Sequence, residues 1–284
     1  MTTATLSAVL AFTTLIAPRA GAEIKTPRPS PNAIVKQTIG ITDFTVTYSR
    51  PGVKGRVIWG GLVPYDKPWR TGANEATSFT TTDAIQFGGQ KLAAGAYSLV
   101  TVPGKDEWIV ALNSDKELWG AFEYKPEKDV LRVNVKPVAA DPQEWMQFSF
   151  EDMTPSSTNL VLRWEKLRVV VPIAVDVNPL VLTGARAALA SAKPDDWRTR
   201  YQAANFCFNS DVALDEGRKW LDQSIVIEPT YQNLSLRAKW QMKDGKRKDA
   251  METAEKAIAT GKASKEKVDT EPTEKLLAEW RAAK

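Results

Sequence analysis

Residues 48–75, YSRPGVKGRVIWGGLVPYDKPWRTGANE, decide how the first half of this chain folds. The stretch holds five glycines and three prolines, which interrupt any helix or strand, so it predicts a long loop shaped by turns. Two tryptophans, two tyrosines and three arginines share that loop. Loops of this kind on a β scaffold are common recognition sites, so the loop is our first candidate for function.

The segments around the loop alternate apolar and polar residues, as half-buried strands do. In residues 129–136, Leu131, Val133 and Val135 alternate with polar neighbours. Similar runs are residues 34–39, 44–48, 76–82, 96–102, 108–113, 145–150, 159–164 and 169–175. Turn signals separate them and no helical pattern intervenes, which predicts an antiparallel, jelly-roll-like β-sandwich over residues 34–177.

The second part of the chain changes to helical spacing. Residues 195–225 resemble residues 231–260, since Leu221 corresponds to Ala254 and Ile225 to Ile258, an offset of 33 residues. The tetratricopeptide period is about 34. We therefore predict an α-helical, tetratricopeptide-like domain over residues 178–284, joined to the sandwich by the DVNP sequence at 176–179. Two repeats are fewer than such a stack needs, so they either lean on the β-domain or use residues 273–283 as a cap.

The N-terminus resembles an export signal. LSAVLAFTTLIA (residues 6–17) is too short to span a bilayer, and AGA (residues 20–22) is a small-x-small cleavage pattern. We predict a signal peptide over residues 1–22, a proline-rich spacer over 23–33, and a periplasmic or extracellular protein with no transmembrane segment after cleavage. No Lys or Arg precedes the apolar run, which indicates either a true start upstream or an atypical signal. The alternative to a signal peptide is a buried N-terminal helix.

Composition removes several kinds of chemistry. The chain has no histidine and one cysteine, Cys207, which excludes His-dependent nucleophiles, thiolate zinc clusters and intramolecular disulfides. A net charge of +4, mixed along the chain, does not favour nucleic acid. No calcium-loop or phosphate-loop motif occurs, so we predict neither metal nor cofactor. Cys207 lies in an apolar helical run and is predicted to be a buried small hydrophobe.

Three motifs resemble a known family. They are SRPGVKGR (residues 49–56), WGGLVPY (59–65) and WRTGANEA (69–76), and the match continues through AGAYSL (94–99) and PGKDEW (103–108). Together they are similar to the bacterial family called domain of unknown function 2911, over residues 30–175. The resemblance implies an exported β-rich protein, often followed by a helical repeat region, and no established activity that transfers to any residue.

The arginines and aromatics of the loop each allow two interpretations. One interpretation is that Arg50, Arg56 and Arg70 bind an anionic ligand. The other is that they donate hydrogen bonds to loop carbonyls or pair with the carboxylates of Asp66 and Glu75. A second group of side chains either stacks on a sugar or forms the loop's own small core; its members are Trp59, Tyr65 and Trp69.

Asn74 and Glu75 are the candidates for chemistry. Glu75 with Asp66 as partner would serve a glycosidase-type hydrolase, whereas a salt bridge to arginine would make Glu75 structural. Our leading hypothesis is a non-catalytic binding module for a carbohydrate or acidic small ligand, with a helical domain that docks a protein partner. The alternatives are the Glu75 hydrolase and a structural assembly protein without a small ligand.

Overall fold

A computed structural model of the chain describes residues 26–116 and 118–283, in which strands come first and helices follow. The strands are β1 (Asn32–Ile39), β2 (Thr42–Ser49), β3 (Thr77–Thr81), β4 (Ile85–Phe87), β5 (Gln90–Leu92), β6 (Gly95–Pro103), β7 (Trp108–Asn113), β8 (Asp129–Val135), β9 (Val138–Glu151) and β10 (Ser157–Ala174). The helices are α1 (Val177–Ser191), α2 (Trp197–Ser210), α3 (Leu214–Ile227), α4 (Tyr231–Lys243), α5 (Arg247–Ala263) and α6 (Glu271–Ala282). The predicted fold class, a β-sandwich followed by helices, is confirmed.

The strands form two antiparallel sheets that share one core. The six-stranded sheet has the order β1-β2-β3-β6-β7-β8 and the four-stranded sheet β5-β4-β10-β9. Alternate residues of both sheets point inward, for example Phe44, Phe79 and Leu112 from one and Phe148 and Leu160 from the other. The sheets are not closed into a barrel.

One long strand replaces two predicted strands. The runs at 159–164 and 169–175 both belong to β10, which is 18 residues long. Between them Glu165 adopts a positive φ of 56°, and the pairing with β9 shifts register on either side of it. The polar Glu165 and Lys166 therefore form a β-bulge, which interrupts the apolar alternation without ending the strand.

The sequence analysis did not predict the short hairpin of β4 and β5. Strands β4 and β5 have three residues each, too few for a visible period. The turn between them consists of Gly88 and Gly89, which supply positive φ angles of 57° and 79°.

The helices stack as antiparallel pairs, α2 with α3 and α4 with α5, and α6 packs against α5. Helix α3 begins at Leu214 and α5 at Arg247, which is the predicted offset of 33 residues. Leu221, Trp240 and Cys207 are buried in the core of this region, and burial raises the pKa of the Cys207 thiol.

Helix α1 joins the two cores. The DVNP sequence predicted a linker, but proline is tolerated in the first turn of a helix, and α1 begins at Val177. Val177 and Leu180 pack on the sandwich core, whereas Leu182 and Ala185 belong to the helical core. The division into domains at 177 and 178 stays a prediction.

The predicted signal peptide, residues 1–22, lies outside the described residues. Among the helices that the structure describes, none is long and apolar enough to cross a membrane.

Two helical glycines give opposite predictions. A Cβ on Gly217 would lie 2.6 Å from the Cβ of Cys207 and 2.8 Å from Trp240, whereas one on Gly184 would meet nothing within 4 Å. We expect Gly217→Ala to lower the free energy of unfolding by about 1–3 kcal/mol through overpacking. Gly184→Ala should raise it by up to about 1 kcal/mol because alanine favours the helix.

Urea unfolding of both variants, followed by circular dichroism, checks this pair. Equal effects of the two substitutions would contradict the packing of α2, α3 and α4.

Candidate functional site

The loop of residues 48–75 is anchored by a cluster of four tryptophans. Trp59 and Trp69 come from the loop, Trp108 from β7 and Trp164 from β10, so the cluster includes both sheets. Trp59 lies edge-on to the other three, with ring centroids 4.9–6.0 Å away, and Trp69 stacks on Trp164 at 5.7 Å. Such contacts bind the loop to the sandwich over a large apolar area.

Main-chain hydrogen bonds fix the loop next to this cluster. The amide of Trp69 donates to the carbonyl of Thr101 at 2.7 Å, and the amide of Thr101 donates back at 2.9 Å. The indole Nε1 of Trp69 donates to the Gly72 carbonyl at 3.1 Å. An isolated antiparallel bridge therefore joins the loop to β6 immediately before Arg70.

The next segment has an unusual backbone. Thr71 has a φ of 54° although it is β-branched, and Asn74 has a φ of 59°. The Thr71 hydroxyl donates to the Trp69 carbonyl, and the Thr71 carbonyl accepts from the Thr77 hydroxyl at 2.7 Å. Strain of this kind persists only where surrounding contacts impose it, and it concentrates at ligand sites.

A small cleft opens beside this strained segment, and we call it the arginine cleft. Its volume is about 230 Å³, and its lining includes Ser30, Arg56, Leu62, Trp69, Arg70 and Trp164. None of the described residues that line it carries a carboxylate. The cleft thus combines apolar indole and leucine surfaces with two guanidinium groups.

Arg70 is the unusual member of the cleft. It is half-buried, its Nε is shielded from solvent, and among the described residues that Nε has no hydrogen-bond partner. Burial lowers the pKa of the Arg70 guanidinium, which records the cost of removing this charge from water. A shielded N–H group without a hydrogen-bond partner costs free energy, so the position of Arg70 needs a reason.

The other two arginines donate hydrogen bonds to main-chain carbonyls, as the structural interpretation of the loop arginines predicted. Arg50 donates from Nε to the Met146 carbonyl at 2.8 Å, which ties the loop to β9. Arg56 donates to the carbonyls of Gly52 and Val53 within the loop, and its side chain also lines the arginine cleft.

Glu75 lies outside the cleft. It is exposed and pairs with Arg28, whose Nη1 lies 3.0 Å from Oε1 and 3.2 Å from Oε2. Its own backbone N–H and the Arg28 guanidinium lower the pKa of the Glu75 carboxyl. Asp66 is also exposed and does not line the cleft. Its backbone is left-handed, and its amide donates to the Pro103 carbonyl.

The aromatic side chains serve mainly as core. Trp69 is 8% exposed, Trp59 is half-buried with its Nε1 shielded from solvent, and Tyr65 packs against Gly60, where a Cβ would lie 2.6 Å from its ring. Asn74 donates from Nδ2 to the Ser30 carbonyl and to the Ser49 hydroxyl. These positions favour the small-core interpretation over sugar stacking.

Sequence reasoning missed four residues of the site. Trp108 and Trp164 lie in predicted strand runs, but only the fold shows that they contact the loop. Arg28 and Ser30 belong to the predicted spacer, yet Arg28 pairs with Glu75 and Ser30 lines the arginine cleft. The amide of Arg50 also donates to the Pro31 carbonyl at 2.8 Å, so residues 28–31 are part of the loop's structure.

A larger groove of about 730 Å³ lies among the helices. It is wide open and its charged residues have both signs, Arg198 and Lys265 against Glu228 and Glu266. The groups that cap α4 beside it, Thr230 and Asn233, already bond each other. We therefore regard the arginine cleft as the better candidate. In the described part of the chain, no group of acidic or cysteine side chains is arranged to hold a metal.

The comparisons with known proteins identify a family and no activity. The model of the family described as "Protein of unknown function (DUF2911)" matches residues 30–173, which span the two sheets and the loop. No curated protein and no solved structure gave a significant match.

Arg70 generates a prediction that an ordinary structural arginine would not fulfil. Arg70→Met keeps most of the side-chain volume and removes the unpaired charge, so we expect it to raise the free energy of unfolding of the ligand-free protein by about 1 kcal/mol. Denaturant unfolding without added ligand measures this.

Arg50→Met is the matched control. It removes the bond to Met146 and should lower stability by about 1 kcal/mol or more. Destabilisation by both substitutions would show that Arg70 is a structural residue.

Proposed function

The chain belongs to the DUF2911 family, and we propose that it is a non-catalytic binding module that takes a small organic carboxylate in the arginine cleft. The observation that carries the proposal is Arg70, a half-buried guanidinium with an unsatisfied Nε beside an apolar cleft. A ligand carboxylate would pair with this charge and offset its burial.

The rest of the cleft favours a carboxylate with an apolar body. A guanidinium fork matches the two oxygens of a carboxylate in one plane. The surfaces of Trp69, Trp164 and Leu62 suit an apolar or aromatic body, since small-molecule sites combine apolar walls with a few polar groups. A volume of about 230 Å³ limits the ligand to a small molecule.

The alternatives draw less support from the geometry. A sugar platform needs an exposed ring face, and the cluster buries most of Trp69. A carboxylate-dependent hydrolase needs two carboxyl groups on one cleft, whereas Glu75 and Asp66 lie outside the arginine cleft.

We also propose that the protein is exported and that the helical region docks a protein partner. The apolar run at residues 6–17 and the AGA sequence support export. The repeated helix pairs support docking, because stacked helical pairs form extended binding surfaces.

Export predicts a definite mature N-terminus. Expression in a bacterial host with export machinery should yield a protein that begins at Glu23, because cleavage follows Ala22. Intact-mass spectrometry of the purified protein measures this, and a chain that retains residues 1–22 would contradict it.

Ligand binding predicts a charge-dependent thermal shift. At about a hundred times its dissociation constant, a ligand adds roughly 2.7 kcal/mol to the free energy of unfolding. We expect benzoate to raise the melting temperature of residues 23–284, while neutral benzamide of the same shape does not. Acetate in the same series tests whether the apolar body of the ligand is needed. Inorganic phosphate tests whether the cleft prefers a carboxylate to another anion.

The variants locate the site. Arg70→Met should abolish the benzoate shift and Arg56→Met should reduce it, whereas Arg186→Met, at an exposed ion pair on α1, should leave it unchanged. Absence of a shift with every carboxylate, or an equal shift in Arg70→Met, would overturn the proposed function.

A further inference from the structure

The segment before β1 contributes one residue, Ser30, to the lining of the arginine cleft. We call residues 26–31 the N-terminal strap. Within it, Ser30 lines the cleft, its carbonyl accepts a bond from Asn74 at 3.3 Å, and the Pro31 carbonyl accepts one from the amide of Arg50 at 2.8 Å. The strap therefore rests on the same loop that carries Arg56 and Arg70.

An ion pair holds the outer part of the strap. Arg28 is the strap residue that reaches Glu75, at 3.0 and 3.2 Å, and both side chains remain about half exposed, at 54% and 55%. Glu75 is itself placed by an isolated bridge between its backbone and that of Trp119. Exposed ion pairs contribute little free energy, so this contact is one that thermal motion opens readily.

Resting on the proposed function, we infer that the N-terminal strap is a gate over the arginine cleft and that the Arg28–Glu75 pair is its latch. The strap is proline-rich, with Pro27, Pro29 and Pro31 on either side of Ser30, so it moves as a stiff extended segment. Opening the latch would swing that segment away from the cleft and let the carboxylate enter or leave. Glu75 thus acts on exchange of the ligand and does not touch it.

A gate predicts a kinetic effect that differs from the effect of removing a residue in contact with the ligand. Neither Arg28 nor Glu75 lines the cleft, so a ligand bound there would leave the latch in place, and the latch is available to both the empty and the occupied protein. Breaking it should raise the association and dissociation rate constants together, by about two- to fivefold each, and leave the dissociation constant nearly unchanged.

Stopped-flow fluorescence with benzoate measures both rate constants, because Trp69 and Trp164 line the cleft and report its occupancy. The variants are Arg28→Gln, Glu75→Gln and the charge-swapped double variant Arg28→Glu with Glu75→Arg, which should restore wild-type rates. The matched control is Glu216→Gln, which removes the exposed two-bond pair with Arg186 on the helices and should change neither constant.

A second readout does not depend on any ligand. Amide hydrogen exchange of the peptide that contains residues 26–31 should be faster in Glu75→Gln than in the wild type, because the strap opens more often. Wild-type exchange in the charge-swapped double variant supports the latch.

The outcomes separate the two proposals. If benzoate binds and the latch variants leave both rate constants unchanged, or raise dissociation alone, the gate is wrong and the proposed function stands. If strap exchange is unchanged in Glu75→Gln, the gate is wrong whether or not benzoate binds. If benzoate and the other carboxylates fail to bind while strap exchange responds to the latch, the proposed function is wrong and the strap does not gate a ligand site.

Discussion

The contact between four tryptophans is the constraint on which the loop depends. Trp59 and Trp69 alone would leave a glycine-rich segment with no core of its own. Packed on Trp108 of β7 and Trp164 of β10, they bring the loop against both sheets at once. The two main-chain hydrogen bonds between Trp69 and Thr101 then fix the position of the loop relative to β6. Arg70, one residue later, has its position determined by a rigid neighbour.

This arrangement explains how the chain tolerates an unsatisfied charge. Thr71 in a left-handed conformation and Arg70 without a partner for its Nε both cost free energy. The tryptophan contacts and the strand-like bonds supply the stability that offsets them. A rigid, strained loop that holds a partly buried guanidinium with an unpaired Nε is typical of a site that binds something else, and this is the physical basis of the carboxylate proposal.

The sequence predicted those parts of the structure that are governed by local periodicity. Alternation at Leu131, Val133 and Val135 located a strand, and the correspondence of Leu221 with Ala254 located paired helices. It failed where a local signal has two meanings. Glu165 and Lys166 interrupt the apolar alternation but form a bulge within one strand, and Pro179 was assigned to a linker but lies in the first turn of α1. For the site, the sequence indicated Arg56 and Arg70 but not which arginine lacks an acceptor, because that depends on Met146, Gly52 and Val53. Arg28 and Trp164 were invisible because only the fold brings them to the loop.

The hairpin of β1 and β2 contacts helix α1 at one end and leads to the strap at the other. Gly40, at its tip, lies so close to α1 that a Cβ there would be 2.5 Å from the side chain of Val177. The other end of β1 continues directly into the strap. Eight residues of paired strand form a stiff spacer, roughly 27 Å long, between helix and strap. A displacement of the helices relative to the sheets would therefore separate Val177 from Gly40 at one end of this spacer, while the strap stays attached to its other end.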